Sequence, residues 1–409
     1  MTHTQQVLRR GQPVWLARRR TQDTPRYPSL RGHRETDVIV VGGGLTDALV
    51  ASTFAEHGVH VTLLEGGTVG CGSTAASSAL LLQEPDHGMA DLTRRYGRAA
   101  SRRIWQLGSE TVRDFSATLR RLRIECDLVE RDSVYFASTE DASRALRAEV
   151  QLRTRAGIAS EWLAPGALKR LTGVRGHGAI RTRGNAQLDP YKACVGLARA
   201  AAAAGAGIFE RSAVTRIDRV RGRMRVRTRG GRIDAARVII ATGYATSAFR
   251  PLAGRFRLYR TYVLATPPLS ASRRHDVGIG DVMVWDTSRP YHYARWTSDH
   301  RLLLGGGDRP VRRGNRFTAA TGELRRDFET LLPALADVEI QHAWEGLFAM
   351  TPDSLPYIGP HRRYPGHLFA LGYGGNGMTF GSLAARLLLE QWQGIRSPDH
   401  RLFTFGRLR

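Results

Sequence analysis

The stretch Asp37-Val38-Ile39-Val40-Val41-Gly42-Gly43-Gly44-Leu45-Thr46-Asp47 decides the fold. After Asp37 it is a short β-branched apolar run, the composition of a parallel strand buried on both faces. Three glycines break it. Apolar or small residues then recur at Leu45, Leu49, Ser52 and Ala55, which suits a buried helix that Gly58 stops. Val59, Val61 and Leu63 alternate into a second strand ending at Glu65. Strand, glycine turn, helix, strand and terminal acid together predict a dinucleotide-binding βαβ unit. Gly42 makes the tight turn. Gly44 lets the backbone approach a pyrophosphate at the positive end of the helix that Leu45 and Thr46 open. Glu65 stands where an acid grips ribose hydroxyls. Asp47 departs from the pattern: it fills the third fixed position of G-x-G-x-x-G, where glycine lets helix and strand pack closely. Its carboxylate either opposes a phosphate or turns away to cap backbone amides. The competing reading is an α/β protein whose glycine turn holds nothing.

Outward from this unit the pattern changes several times. Residues 1–35 read as a Pro- and Arg-rich lead-in with little periodicity. Residues 90–170 read as mostly helical, interrupted by a strand near Val134-Tyr135-Phe136, and another helix follows Pro190. Arg211–Ile217, Met224–Arg229 and Val238-Ile239-Ile240 read as strands. From Arg257 to Leu304 the chain is strand-rich, with Asp299-His300 as a hairpin turn. It ends in a strand Leu368–Leu371, a glycine loop Gly372–Gly377 and a helix Met378–Trp392. No solenoid repeat is visible.

A chain of 409 residues exceeds one ordinary core and predicts two domains. The net charge is +24, yet only two of the 61 cationic side chains, Lys169 and Lys192, are lysine. That skew reads as codon bias in a GC-rich genome. Because the arginines are scattered, a solvated basic surface is preferred over nucleic-acid binding, although such a surface can help draw in an anionic substrate. The densest run, Arg18–Arg20, lacks the apolar stretch of a secretion signal. Cys71, Cys126 and Cys194 form no CxxC pair and no metal spacing, so neither a metal nor a disulfide framework is expected. With no run long enough to span a membrane, the cytoplasm is the default expectation.

From about Asp37 to Trp392 the sequence resembles the D-amino-acid oxidase family of FAD-dependent oxidoreductases, which includes glycine, sarcosine and γ-glutamylputrescine oxidases. The resemblance rests on ordered blocks: Asp37–Glu65; Gly70-Cys71-Gly72-Ser73-Thr74-Ala75-Ala76-Ser77; Gln187-Leu188-Asp189-Pro190; Val238–Tyr244; Thr351-Pro352-Asp353-Ser354-Leu355-Pro356; and Gly372-Tyr373-Gly374-Gly375-Asn376-Gly377-Met378. It implies an α/β fold with a Rossmann-like, glutathione-reductase-like FAD/NAD(P)-binding domain and a discontinuous α+β substrate domain containing a mainly antiparallel sheet. The FAD domain is expected from 36–100, 186–250 and 340–409, the substrate domain from 101–185 and 251–339. The hydroxyls of Ser73 and Thr74 are expected to reach the pyrophosphate, with helix capping as the alternative. Val214 is expected over the adenine or simply in the core. Thr242 and Gly243 end a strand at the ligand-bearing edge of the sheet. Gly374, Gly375, Asn376, Gly377 and Met378 bring helix N-terminal amides to the flavin's pyrimidine oxygen. Relatives that bind flavin covalently through a cysteine carry it where this chain has Ala343–Phe348, with no cysteine, so non-covalent FAD is expected.

The resemblance further implies hydride transfer from the carbon beside an amine nitrogen to flavin N5, giving an imine that hydrolyses. Oxygen or an electron carrier takes the electrons. Substrate contacts are expected between about Arg250 and Ile340. Tyr291, Tyr293 and Arg295 alternate along one strand and so share a face. Arg295 beside two phenols could clamp a carboxylate; a solvent-facing strand is the alternative. Tyr262, Arg260 and Tyr373 are further candidates. A non-catalytic relative, with or without flavin, acting as a partner or structural protein is the second reading, motivated by Asp47.

Overall fold

The structure, a computed structural model, describes residues 7–19, 25–312 and 316–408. A six-stranded sheet carries the glycine turn. Its order is Gly207–Phe209, Val61–Leu64, Val38–Val41, Arg237–Gly243, His367–Leu371 and Tyr357–Pro360. The first five strands are parallel and the sixth is antiparallel to its neighbour. Val38 and Val40 belong to the core built with Leu49, Phe54, Leu197 and Leu383 of helices Leu45–Glu56, Pro190–Ala203 and Gly377–Trp392. Ile39 belongs to the opposite core, with Met224, Val226 and Ile233. Those three come from a four-stranded sheet of Arg216–Val220, Arg223–Arg227, Gly231–Ala235 and Gly32–Glu35. Covered on both faces, the strand has no position for a polar residue. Each fully buried Val or Ile contributes roughly 1.5–3 kcal/mol.

A nine-stranded sheet forms the second half. Its order is Arg9–Gly11, His342–Met350, Arg257–Ala265, Leu302–Pro310, His292–Trp296, Val282–Asp286, Asp132–Phe136, Ala179–Thr182 and Ser160–Leu163. Only the pair Val282–Asp286 with Asp132–Phe136 is parallel, so the expected mainly antiparallel sheet is present. On one face Tyr262, Leu264, Ala294 and Leu304 pack under helix Phe317–Leu331 through Ala320, Leu324 and Phe328. On the other, Val263, Leu303 and Trp344 meet Trp15, Ala76, Tyr191 and Val195. That second face joins the sheet to the nucleotide half.

Three segments differ from expectation. The described residues of the 1–35 lead-in are built into the fold. Arg9–Gly11 pairs with Trp344–Gly346, Val14–Ala17 is a short helix, and Gly32–Glu35 pairs with Gly231–Asp234. Edge strands held by backbone pairing need no apolar periodicity, which is why the pattern was silent. Arg20 of the Arg18–Arg20 run lies outside the described residues, while Arg18 pairs with Asp299 at 2.9 Å. The strand expected over Arg211–Ile217 begins only at Arg216, because the Arg211 and Ser212 amides are spent on the carbonyls of Gly67 and Glu65. Strand His342–Met350, expected with the nucleotide segments, pairs with Arg257–Ala265 in the nine-stranded sheet. The region 90–170 is mostly helical as expected, with Met89–Arg121 interrupted at Gly97, φ +80°, and with a strand, Ser160–Leu163, that was not expected.

Candidate active site

Parallel strands Val38–Val41, Arg237–Gly243 and His367–Leu371 all end at one edge of the six-stranded sheet. The turns at Gly42, Gly243 and Gly372 therefore leave from the same place, and the Gly372 amide donates to the Gly243 carbonyl at 2.8 Å. Ligands of open α/β sheets collect at this edge. Gly42 has φ +130°, a conformation that suits glycine. A side chain there would strike the Asp47 carboxylate.

Asp47 turns inward to the glycine turn. It is 2% exposed, its Oδ2 accepts the Gly44 amide at 2.8 Å, and its Oδ1 has no partner. Burial, with a smaller contribution from Glu65, holds its carboxyl well above the usual carboxylate range. The neighbouring Leu45 amide donates to Thr74 Oγ1 at 2.9 Å. Asp47 thus caps a backbone amide, as one of the two expectations had it, but without turning away from the helix start. Glu65 lies against Gly43, 2.7 Å from where a Cβ would sit, and its Oε1 accepts the Gly67 amide at 2.5 Å. Burial raises its pKa, the Gly67 amide opposes this, and Glu210 adds to the rise. Glu210, missed in the sequence, is buried and accepts the Val69 amide at 2.9 Å. Val214 is partly buried among Ile39, Leu64 and Phe209. Ser73 donates to the Leu347 carbonyl at 2.9 Å, which ties its helix to the nine-stranded sheet. Thr242 donates to the Tyr244 carbonyl at 3.0 Å.

The second glycine loop is tied to a carboxylate as well. Asp86 accepts the Gly375 amide and the Asn376 side-chain amide, each at 2.9 Å. Gly374, φ +59°, donates to the Ala349 carbonyl at 3.0 Å. Gly377 opens the last helix and Met378 is buried in its first turn. Tyr373 lies between the two glycine loops: its hydroxyl donates to the Ala370 carbonyl at 2.5 Å, and it hydrogen-bonds Thr46 near Asp47. Asp353, in the Thr351–Pro356 block, is fully buried and bonded by Arg407, Tyr96 and Thr351, a structural ion pair.

Among the expected substrate residues, Tyr291 and Tyr293 come together with acids. Tyr293 Oη lies 3.3 Å from Thr261 Oγ1, and its ring packs on Gly305, where any side chain would collide. Tyr291 lies within electrostatic reach of Asp86 and Asp308. Arg295 shares the strand His292–Trp296 with Tyr293 but is not available as a clamp. It is 2% exposed and donates to the carbonyls of Ser78 (2.6 Å), Leu188 (2.9 Å) and Trp296 (3.2 Å). Its partners were not legible in the sequence, since main-chain carbonyls leave no side-chain signal. Tyr262 packs under helix Phe317–Leu331 with the opposite face of the sheet, and Arg260 pairs with Glu345 at 2.8 Å. Two shallow cavities also lie on that helix's side, one lined by Leu335 and Val338, the other by Tyr293, Ala294 and Leu332. Neither touches the glycine turns, so the site is defined by its polar groups. Asp86 and Asp308 were missed in the sequence. The run Gly305-Gly306-Gly307-Asp308 in a strand was the available signal, since glycines inside strands mark bulges.

The donor set fits a dinucleotide. Backbone amides at a helix start, two hydroxyl side chains and a strand-terminal acid stand at one sheet edge, and the amides of Gly44 and Leu45 now spent on Asp47 and Thr74 are those a diphosphate would take. Fold and site define a flavin- or nicotinamide-type nucleotide-binding α/β protein. The model of the family described as FAD dependent oxidoreductase (DAO) matches residues 37–407. The chain belongs to this family of enzymes, whose members bind FAD. It is 30% identical over 385 residues to γ-glutamylputrescine oxidoreductase of Escherichia coli, covering 91% of this chain and 86% of that one. It is 26% identical over 397 residues to a probable oxidoreductase, OrdL, of Haemophilus influenzae, covering 95% and 89%. The crystal structure of glycine oxidase from Geobacillus kaustophilus superposes with a TM-score of 0.80 at 23% identity, over 92% of this chain and all of that one. Among the described residues no helix is long and apolar enough to cross a membrane.

Proposed function

We propose that the chain holds FAD non-covalently and oxidises the C–N bond of a small amine or amino acid, releasing an imine that hydrolyses. The carrying observation is that the Gly42–Gly44 turn and the Gly372–Gly377 loop leave one edge of one sheet. When bound, FAD supplies the acceptor for a hydride from the carbon beside nitrogen. Gly42, Gly44, Leu45, Thr46, Ser73 and Thr74 hold the diphosphate end, Glu65 the ribose and Val214 the adenine. Thr242, Gly243 and Gly374–Met378 receive the other end, where the last helix directs amide dipoles at developing negative charge. Tyr291 and Tyr293 face the substrate. The electrons pass on to oxygen or a carrier. Segments 36–100, 186–250 and 340–409, less strand His342–Met350, form the nucleotide half, and 101–185 with 251–339 and that strand the substrate half. Three free cysteines suit a reducing, cytoplasmic setting.

Acid denaturation of the purified protein tests this. FAD should appear in the supernatant, identified by mass, with none on the polypeptide. Flavin remaining on the chain would defeat the non-covalent reading. The two carboxylates seated on the Gly44 and Gly375 amides favour the second reading, a relative without catalysis. A colourless protein that takes up no FAD on reconstitution would decide for it.

A further inference from the structure

Asp47 lies in the first turn of helix Leu45–Glu56 and points back into the glycine turn before it. Its donors are backbone amides, those of Gly44 and of Asp47 itself. Oδ2 takes the Gly44 amide, while Oδ1 is shielded from water and has no partner. A buried carboxylate keeps its charge when a cation pairs with it. Among the described residues no arginine, lysine or histidine pairs with Asp47.

Each element packed around this acid brings another acid or a neutral group. The end of strand Val61–Leu64 brings Glu65, the charged side chain that acts on Asp47. Glu210, just after strand Gly207–Phe209, acts in turn on Glu65. Helix Pro190–Ala203 brings Cys194, whose thiol lies 3.7 Å from the Gly43 carbonyl. Burial pushes that thiol up, and Asp47 adds to the rise. The loop before the last helix brings the Tyr373 phenol, raised by burial with Asp47 contributing. Helix Ser73–Ala76 brings the Thr74 hydroxyl, which accepts the Leu45 amide.

The diphosphate of FAD is ionised throughout the neutral range, and the start of this helix is where it is received. A charged Asp47 repels it. A protonated Asp47 has an O–H to donate to a phosphate oxygen, and the unpartnered Oδ1 is free to carry that proton. We propose that FAD binds to this chain together with a proton on Asp47, so that the acid enters the diphosphate site as a neutral hydrogen-bond donor and cofactor binding weakens as pH rises. This rests on the FAD reading and adds a control to the same site.

The direction follows from the charges. Burial and Glu65 already hold the Asp47 carboxyl well above the usual carboxylate range, and an arriving diphosphate raises it further. Between those two values FAD binding takes up a proton, and affinity falls by up to about tenfold per pH unit. Glu65 has the opposite sign: it accepts ribose hydroxyls as an anion, so its ionisation strengthens binding as pH rises.

Full-length protein carrying its FAD is diluted serially at fixed ionic strength between about pH 5.5 and 8.5, and released FAD is read by fluorescence. The dissociation constant is expected to rise about tenfold or more across this range. Calorimetric titration of the flavin-depleted full-length chain with FAD, in two buffers of unlike ionisation enthalpy, is expected to show proton uptake. Asp47→Asn, which keeps an acceptor for the Gly44 amide but does not titrate, should hold the parent's low-pH affinity at every pH. A dissociation constant that is flat or falls with pH, proton release on binding, or a slope retained in Asp47→Asn overturns the proposal. Proton uptake by the parent decides the matter if Asp47→Asn does not fold. Failure of the FAD reading looks different: a chain that takes up no FAD at either end of the pH range loses both readings, whereas one that binds FAD equally at both ends keeps FAD and loses only the coupling.

Discussion

At the scale of single residues, Asp47 carries the most consequence. A buried carboxylate with one unpaired oxygen costs about 1–3 kcal/mol or more when charged, and its pKa is raised by burial above the 3.8 of a free side chain. Between that value and its folded pKa the folded protein binds more protons than the unfolded one. Stability therefore falls as pH rises through this window. Asp47→Asn should be more stable than the parent at pH 8, by about 1–3 kcal/mol in urea melts, with the gain shrinking towards pH 4. A gain independent of pH would refute the titration argument. Asp47→Gly should tighten FAD about tenfold in fluorescence titrations, since it removes a like charge from a phosphate site. Glu65→Ala should weaken FAD by about 1.5–3 kcal/mol while circular dichroism stays unchanged. Unaltered flavin content at limiting FAD would remove Glu65 from the ribose.

Between residues and the whole stand the elements, and here Arg295 ties together what the chain order separates. From strand His292–Trp296 its guanidinium reaches the carbonyls of Ser78 and Leu188, next to the Ser73–Ala76 and Pro190–Ala203 helices. It also lies 5.2 Å over Trp15, whose Nε1 donates to the Ser77 carbonyl at 2.9 Å. Arg295→Ala should therefore act as a stability mutant, costing about 3–5 kcal/mol as buried carbonyls lose a charged partner. A large rise in KM with unchanged melting temperature would instead restore the carboxylate clamp. Trp15→Ala should cost about 3–5 kcal/mol for the lost packing, although it lies in a segment whose sequence reads as a lead-in. A loss under about 1 kcal/mol, the range of surface changes, would mean that the N-terminal helix is not part of the core.

The whole molecule carries a net charge of +24. A cationic substrate would be repelled at long range by that charge. Its stopped-flow on-rate should rise several-fold as salt increases from about 0.02 to 0.2 M and the Debye length shortens. A falling on-rate would point to an anionic substrate, the partner that composition alone suggests. The βαβ unit, the glycine loop before the last helix and the shared face of Tyr291, Tyr293 and Arg295 were all legible in the sequence. Strand and helix periodicity and glycine turns are local, and local signals survive in a linear string. Tertiary structure alone decided three things: that Arg295 faces main-chain carbonyls, that a two-for-one bulge brings Asp308 to Thr261, and that Asp86 caps a loop nearly 290 residues away. Each depends on register or on backbone atoms common to every residue, which side-chain spacing does not record; only the glycines Gly305–Gly307 mark the bulge, without its partner.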